Sequence, residues 1–142
     1  KRLKKDNYDV WVVCSPSAYL KDIQEEGLNI KTIKITRRIT PLSDLLSFFK
    51  LVYFFKKEKF EIVQVQTPKA AFLGQLAAKL AGVPIIINNN FGFYFQNFSP
   101  IKKWVFVFFE RMAAKYSDLM FTINKEDIQT AIKEKIFKPE KI

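Results

Sequence analysis

The spacing of apolar positions changes several times along the 142-residue chain, and each change marks an element. Tyr8–Cys14 is a mostly apolar run that reads as a buried strand, broken by Ser15-Pro16-Ser17. Ala18–Glu26 predicts a short helix, stopped by Gly27 where a left-handed residue is wanted. Ile30–Thr36 alternates, with Ile33 and Ile35 on one side and Thr32, Lys34 and Thr36 on the other. Glu61–Gln66, Ile85–Asn89 and Leu119–Ile123 supply three further strands. Residues 1–5 read as the last turn of a helix, with Asp6-Asn7 turning the chain.

Three longer helices share one starting signal. Thr40-Pro41, Thr67-Pro68 and Ser99-Pro100 each put a hydroxyl at the N-cap and proline at the first helical position. The helices predicted from these starts are Pro41–Lys57, Pro68–Ala81 and Pro100–Tyr116. In the first, Leu42, Leu45, Leu46, Phe49, Val52 and Tyr53 form the expected core face, while Phe48, Leu51 and Phe55 fall outside it. The second carries the small residues Ala70, Gly74, Ala77, Ala78 and Ala81, which favour close approach to a sheet, and Gly82 ends it. In the third, the expected core stripe is Ile101, Trp104, Val105, Phe108, Phe109, Met112 and Ala113, with Phe106 and Val107 off it. Asn124 is placed to cap a closing helix that reaches about Ile136.

Strands alternate with helices, and no Asn-Gly or Asp-Gly hairpin signal joins two strands. Right-handed crossovers then give an α/β, Rossmann-like fold with a mostly parallel sheet covered by helices on both faces. Ile85-Ile86-Ile87 is apolar on both faces, as a doubly covered strand requires. No repeat or low-complexity tract divides the chain, so residues 1–142 read as one domain.

Composition narrows the chemistry. The chain has 24 Lys+Arg against 14 Asp+Glu, a formal net charge of +10, one cysteine and no histidine. A lone Cys14 cannot build an intrachain disulfide or a cysteine-rich zinc site. Without histidine the chain holds no Ser-His-Asp triad, Cys-His pair or HExxH helix. GxGxxG, GxxxxGK[ST] and Asp-x-Asp are also missing, so a nicotinamide site, a P-loop and a metal-held nucleotide-sugar are not expected. The positive balance predicts anionic company: phosphates, nucleic acid or an acidic membrane surface. No apolar run reaches the ~18 residues of a membrane span.

In an open parallel sheet, ligands bind beyond the carboxyl ends of the strands. Arg37-Arg38 stand before a helix start, where free amides and guanidinium groups suit an anion; two solvated arginines fit the same pattern. Gln66-Thr67-Pro68-Lys69 turns from strand to helix, and Thr67 is explained by capping alone. Lys69 puts a cation near the positive end of a helix dipole, which suits a bound phosphate or an outward-facing side chain. Asn88–Asn97 combines amides for sugar hydroxyls, aromatic faces for sugar rings and a permissive Gly92. The same aromatics could equally close the core. Lys102 and Lys103 beside the surplus aromatic Phe106 suit an anionic bilayer, or burial against another part of the protein.

The run Gln64–Pro84, with Thr67-Pro68-Lys69-Ala70 at its head, resembles the acceptor-side domain of family four glycosyltransferases of the GT-B fold. In that family a segment of the form H-T-H-T-P-K-A…L-G…L-A-A…A-G-V-P precedes a strand and H-G-F-Y-F. Here Phe91-Gly92-Phe93-Tyr94-Phe95 follows at the matching distance. Arg38-Ile39-Thr40-Pro41 is similar to the family's Arg-x-(Ser/Thr)-Pro element, and Asp118–Asp127 to its A-D…I-T-V-N-x-E-D segment. The family's two histidines before Thr-Pro-Lys-Ala fall on Gln64 and Gln66, and that of its His-Gly pair falls on Phe91.

The resemblance implies the acceptor-binding half of a metal-independent glycosyltransferase that needs no cofactor. Its partners would be a nucleotide-sugar donor, held mainly by a second, C-terminal domain outside this chain, and a glycan or lipid-linked acceptor. No nucleic acid is expected. The first strand of the domain would precede Lys1, and the chain alone would be inactive. The location implied is cytoplasmic, peripheral at the inner membrane face, in polysaccharide biosynthesis. Substrate contacts would come from Arg38, Gln66, Thr67, Lys69, Asn89, Asn90, Phe91, Gly92 and Asn124, and membrane contacts from Lys102, Lys103 and Phe106. The glutamines and phenylalanine at the histidine positions also fit a degenerate, non-catalytic relative that binds or scaffolds.

Overall fold

A computed structural model describes residues 6, 8–36, 38, 40–93, 95 and 97–142. The basic turn at residues 1–5, Asn7, Arg37, Ile39, Tyr94 and Gln96 lie outside the described residues. The chain forms two compact units, one reaching to Lys50 and the other running Leu51–Ile142. The fold class is α/β, with parallel sheets flanked by helices, as the alternation of elements predicts.

In the first unit, β1 (Trp11–Cys14) pairs in parallel with β2 (Asn29–Thr32), and the helix α1 (Leu20–Glu25) connects them. Gly27 follows at φ 70°, the left-handed stop expected of it. Both strands are shorter than their apolar runs. Beyond β2 the pairing gives way to side-chain bonds, with the Ser15 hydroxyl donating to the Ile35 carbonyl and accepting from its amide, both at 2.9 Å. Helix α2 (Pro41–Glu58) starts at its predicted proline. Its Thr40 cap works differently from expectation: the Asp44 carboxylate accepts from the Thr40 amide and hydroxyl, at 2.9 and 3.0 Å.

In the second unit, β3 (Ile62–Gln66), β4 (Ile85–Asn90) and β5 (Leu119–Thr122) form a parallel sheet in that order. Ile62 stands opposite Ile85 and Ile87 opposite Leu119. The crossovers are α3 (Pro68–Ala81) and α4 (Pro100–Ala114), and α5 (Lys125–Lys133) follows β5. Asp118 fastens β5 to the central strand: its carboxylate accepts from the Ile86 amide, and its own amide donates to the Ile86 carbonyl, both at 2.8 Å. Helix α3 matches its predicted bounds. Gly82 closes it at φ 81°, its amide bonded to the carbonyls of Ala78 and Lys79. The small-residue face does bring it close to the sheet, since a Cβ at Gly74 would stand 2.8 Å from Val65 Cγ1.

Two helix faces differ from the sequence expectation. In α2 the buried residues are Ser47, Leu51, Val52, Phe54 and Phe55, whereas Leu42, Leu45, Leu46, Phe49 and Tyr53 are exposed. Phe54 and Phe55 gather on Phe60, at ring separations of 5.2 and 5.9 Å. In α4 the buried residues are Val107, Ala113 and Ala114, and most of the predicted stripe lies outside, with Ile101 80% and Trp104 68% exposed. The reason is steric. Val107 and Ala114 fill the space left between Phe93, Phe95, Met120 and Ala131, which has room for a valine and an alanine, while the larger Phe109 packs edge-on against Phe72 of α3 at 5.8 Å.

The main apolar cluster of the second unit joins Val107 and Ala114 of α4, Met120 of β5 and Ala131 of α5 with Phe93 and Phe95. Phe93 and Phe95 of the aromatic loop therefore close the core. Ile136 and Phe137 complete the cluster, beyond the end of α5.

Candidate functional site

The carboxyl ends of β3 and β4 open into a small cleft. It is lined by the Thr67-Pro68 corner, Ala71, Asn88–Gly92 and Glu110. Each wall follows from local chain chemistry. Thr67 leaves β3 at φ 67°, ψ 138°, a strained conformation for a β-branched residue, and Pro68 starts α3 immediately. That twist explains why the Thr67 hydroxyl makes no cap bond to α3, contrary to expectation. The Ser99 hydroxyl makes none to α4 either, although its backbone is extended.

Asn88, Asn89 and Asn90 belong to β4 rather than to a loop. Asn88 and Asn89 pair with β3 on one side, Asn89 opposite Gln66, and all three pair with β5 on the other, Asn90 opposite Thr122. This pairing holds the backbone; the Asn88 side chain is buried, whereas Asn89 and Asn90 stay half-buried at the strand end. Asn90 then turns the chain, its Oδ1 accepting from the Gly92 amide at 2.6 Å. Gly92 sits at φ 124°, where a side chain would strain the backbone. The next residue enters the core. Its amide donates to Asp127 Oδ1 at 3.3 Å, and the Asp127 amide in turn donates to Asn124 Oδ1 at 2.7 Å.

The structure thus brings Thr67, Asn89, Asn90, Phe91 and Gly92 together in one cleft. Phe91 is 52% exposed, unlike Phe93 and Phe95, and is the described aromatic of this loop that is offered to the cleft. Gln66 stands exposed at the end of β3, and Lys69 is partly buried in the first turn of α3. Asn124 spends its side chain on capping α5, as its position predicts. Arg38 belongs to the first unit, where it is exposed and its carbonyl accepts from the Thr36 hydroxyl at 2.9 Å. Lys102 is exposed on α4. Lys103 pairs with Glu134 at 2.6 Å, and Phe106 packs edge-on against Phe98 at 5.0 Å.

Glu110 escaped the sequence reading. It follows directly on the aromatic run Trp104–Phe109 and lies off the stripe expected to face the core. Lys103, Val107, Glu110 and Ala114 are spaced as one helical stripe, and that stripe carries Glu110 to the cleft wall. Burial pushes its carboxyl up to about 7, so near neutrality it holds and releases a proton readily.

The cleft measures about 40 Å³. A complete small-molecule pocket holds ~300–1,000 Å³, so this cleft does not enclose a small molecule by itself. Its chemistry is that of hydroxyl recognition: amides that donate and accept, an exposed ring and one carboxyl group.

The fold defines a class, the Rossmann-like α/β architecture of GT-B structures. The crystal structure of MurG from Acinetobacter baumannii has the same fold, with a TM-score of 0.64 and 17% identity over 88% of this chain and 35% of that one. Residues 1–124 match the family model described as glycosyl transferase 4-like, and the chain belongs to that family. It is 31% identical over 142 residues to the UDP-Gal:alpha-D-GlcNAc-diphosphoundecaprenol alpha-1,3-galactosyltransferase of Escherichia coli, covering 99% of this chain and 37% of that protein. It is also 35% identical over 111 residues to the capsular polysaccharide biosynthesis glycosyltransferase CapM of Staphylococcus aureus, covering 78% of this chain and 29% of CapM. The chain spans roughly a third of the length of these relatives.

Proposed function

We propose that this chain is the acceptor-binding half of a glycosyltransferase that moves a sugar from a nucleotide-sugar to a glycan or lipid-linked acceptor. The observation that carries the reading is the cleft itself: three consecutive asparagines, a glycine turn and an exposed phenylalanine at the strand ends of a family member. Amide side chains and a ring face are the groups that recognise a sugar. The names of the two relatives, one acting on a diphosphoundecaprenol-linked sugar and one in capsule synthesis, favour a lipid-linked acceptor and polysaccharide biosynthesis. A second domain would hold the donor and supply the opposite wall. No metal is required in this reading, because the donor diphosphate would be held by that domain's side chains.

No helix among the described residues is long and apolar enough to cross a membrane. The outer face of α4 offers another attachment: exposed Ile101, Trp104 and Phe108 beside Lys102 would lie on an anionic bilayer at the inner membrane face. Of the three residues read as membrane-facing, Lys103 is the one already committed to an ion pair.

The acceptor reading is tested by titrating the chain with N-acetylglucosamine carried on a short-chain alkyl diphosphate, followed by amide NMR. Shifts at Asn89, Asn90 and Gly92 are expected. Asn90→Ala, which removes the amide and frees the Gly92 turn, should weaken binding by about tenfold. Shifts confined to other surfaces would end the proposal.

Phe91 favours a second reading. A phenylalanine at the cleft, where the family carries histidine, neither donates a hydrogen bond nor takes a proton, which suits a binding or scaffolding subunit. Joined to a donor domain, Phe91→His should raise turnover at least severalfold if the position faces the reaction centre. Absence of turnover in both forms, with acceptor binding intact, would favour the scaffold.

A further inference from the structure

We propose that Glu110 is the acceptor-recognition residue of the cleft, its ionised carboxylate accepting a hydrogen bond from an acceptor sugar hydroxyl, so that binding is gated by its protonation. The inference rests on the acceptor-binding reading and gives it a residue and a pH dependence. Helix α4 brings Glu110 to the wall that Thr67, Asn89 and Gly92 line from the strand ends. It is the titratable side chain among the described residues lining the cleft, and the other polar groups there are amides and a hydroxyl. A carboxylate is a stronger acceptor than any of these and has no proton to offer, so it selects a hydroxyl.

The charged groups on the elements packed about it do not line the cleft. They are Lys69 and Lys79 on α3, Lys125, Glu126, Asp127 and Lys133 on α5, and Lys102, Lys103 and Arg111 on α4 itself. Two of them are directed elsewhere: Lys103 pairs with the Glu134 carboxylate at 2.6 Å, and Arg111 Nε donates to the Glu134 carbonyl at 2.8 Å. Asp127 lies behind Gly92, bonded to the Phe93 amide. Burial, with no cation among the described residues lining the cleft, keeps the Glu110 proton until near neutrality, which puts the gate in an accessible range.

The test is a binding titration with the same alkyl diphosphate probe, between about pH 5.5 and 8.5. Affinity for the unsubstituted chain should fall about tenfold towards the acid end as the carboxylate is lost. Glu110→Gln keeps the size and one acceptor oxygen but cannot titrate, so its affinity should stay flat. As an independent readout, ¹³C NMR of the Glu110 carboxyl should show its midpoint near 7 falling by about one pH unit when the probe saturates the site. An unsubstituted chain with flat affinity, or the same pH dependence in Glu110→Gln, would overturn the role of Glu110 and leave the acceptor-binding reading standing. Failure of the probe to bind at any pH would remove both.

Discussion

Replacing Glu110 by glutamine is expected to raise the unfolding free energy at about pH 8 by ~2–3 kcal/mol and to leave it unchanged near pH 4. The cause is the raised carboxyl: the folded chain holds this proton up to about 7, against 4.5 for a free side chain. Between those values the native state binds more protons than the unfolded state, so stability falls as pH rises. Below 4.5 both states are protonated and the difference disappears; above 7 both are ionised and the full cost of the buried charge is felt. Glutamine matches the side chain in size without that charge. Urea unfolding at the two pH values checks this, and an equal gain at both would show that the effect comes from packing instead.

Such a cost invites a functional explanation, because a chain selected only for stability would carry an uncharged residue there. The same burial that weakens the fold tunes the carboxyl to neutral pH, and the strained Thr67 corner beside it fits the pattern. Two unfavourable features thus meet in one cleft.

Much of this cleft was legible in the chain. Helix α3 was bounded to the residue because proline and glycine act locally: Pro68 fits only a first turn, and Gly82 fits the left-handed stop. The carboxyl-end rule then placed Thr67 beside Asn89–Gly92, and the structure agrees. Hydroxyl capping failed at Thr67 because the backbone conformation at that corner is set by the strand-to-helix turn, which sequence does not encode as a cap.

The faces of α2 and α4 were not legible, for a different reason. A helix apolar nearly all round satisfies the helical period in more than one rotation, and size then decides which side is buried. Phe93, Phe95, Met120 and Ala131 take in Val107 and Ala114 rather than the heavier stripe, information held in other elements of the chain. Glu110 was lost by the same error, since rotating α4 to its true face is what aims it at the cleft.

That rotation has a sharp consequence at two adjacent residues. Val107 is 5% exposed and belongs to the main cluster with Met120 and Phe93, while Phe108 is 47% exposed and stacks on Trp104 at 5.9 Å. Val107→Asp places an unpaired carboxylate in that cluster and should cost ~3–5 kcal/mol, enough to unfold much of the population at 37 °C. Phe108→Asp should cost ~1 kcal/mol or less, because it loses ring contacts at the surface and buries nothing. Thermal melts and urea titrations of the two variants give the comparison directly. If the expected stripe through Phe108 were the buried one, the order would reverse. The folded Phe108→Asp chain then separates fold from attachment: on vesicles rich in anionic lipid it should sediment at least tenfold more weakly, having exchanged an aromatic contact for a repelled charge beside Lys102. Undiminished sedimentation would mean that α4 does not meet the bilayer, with the acceptor cleft unaffected.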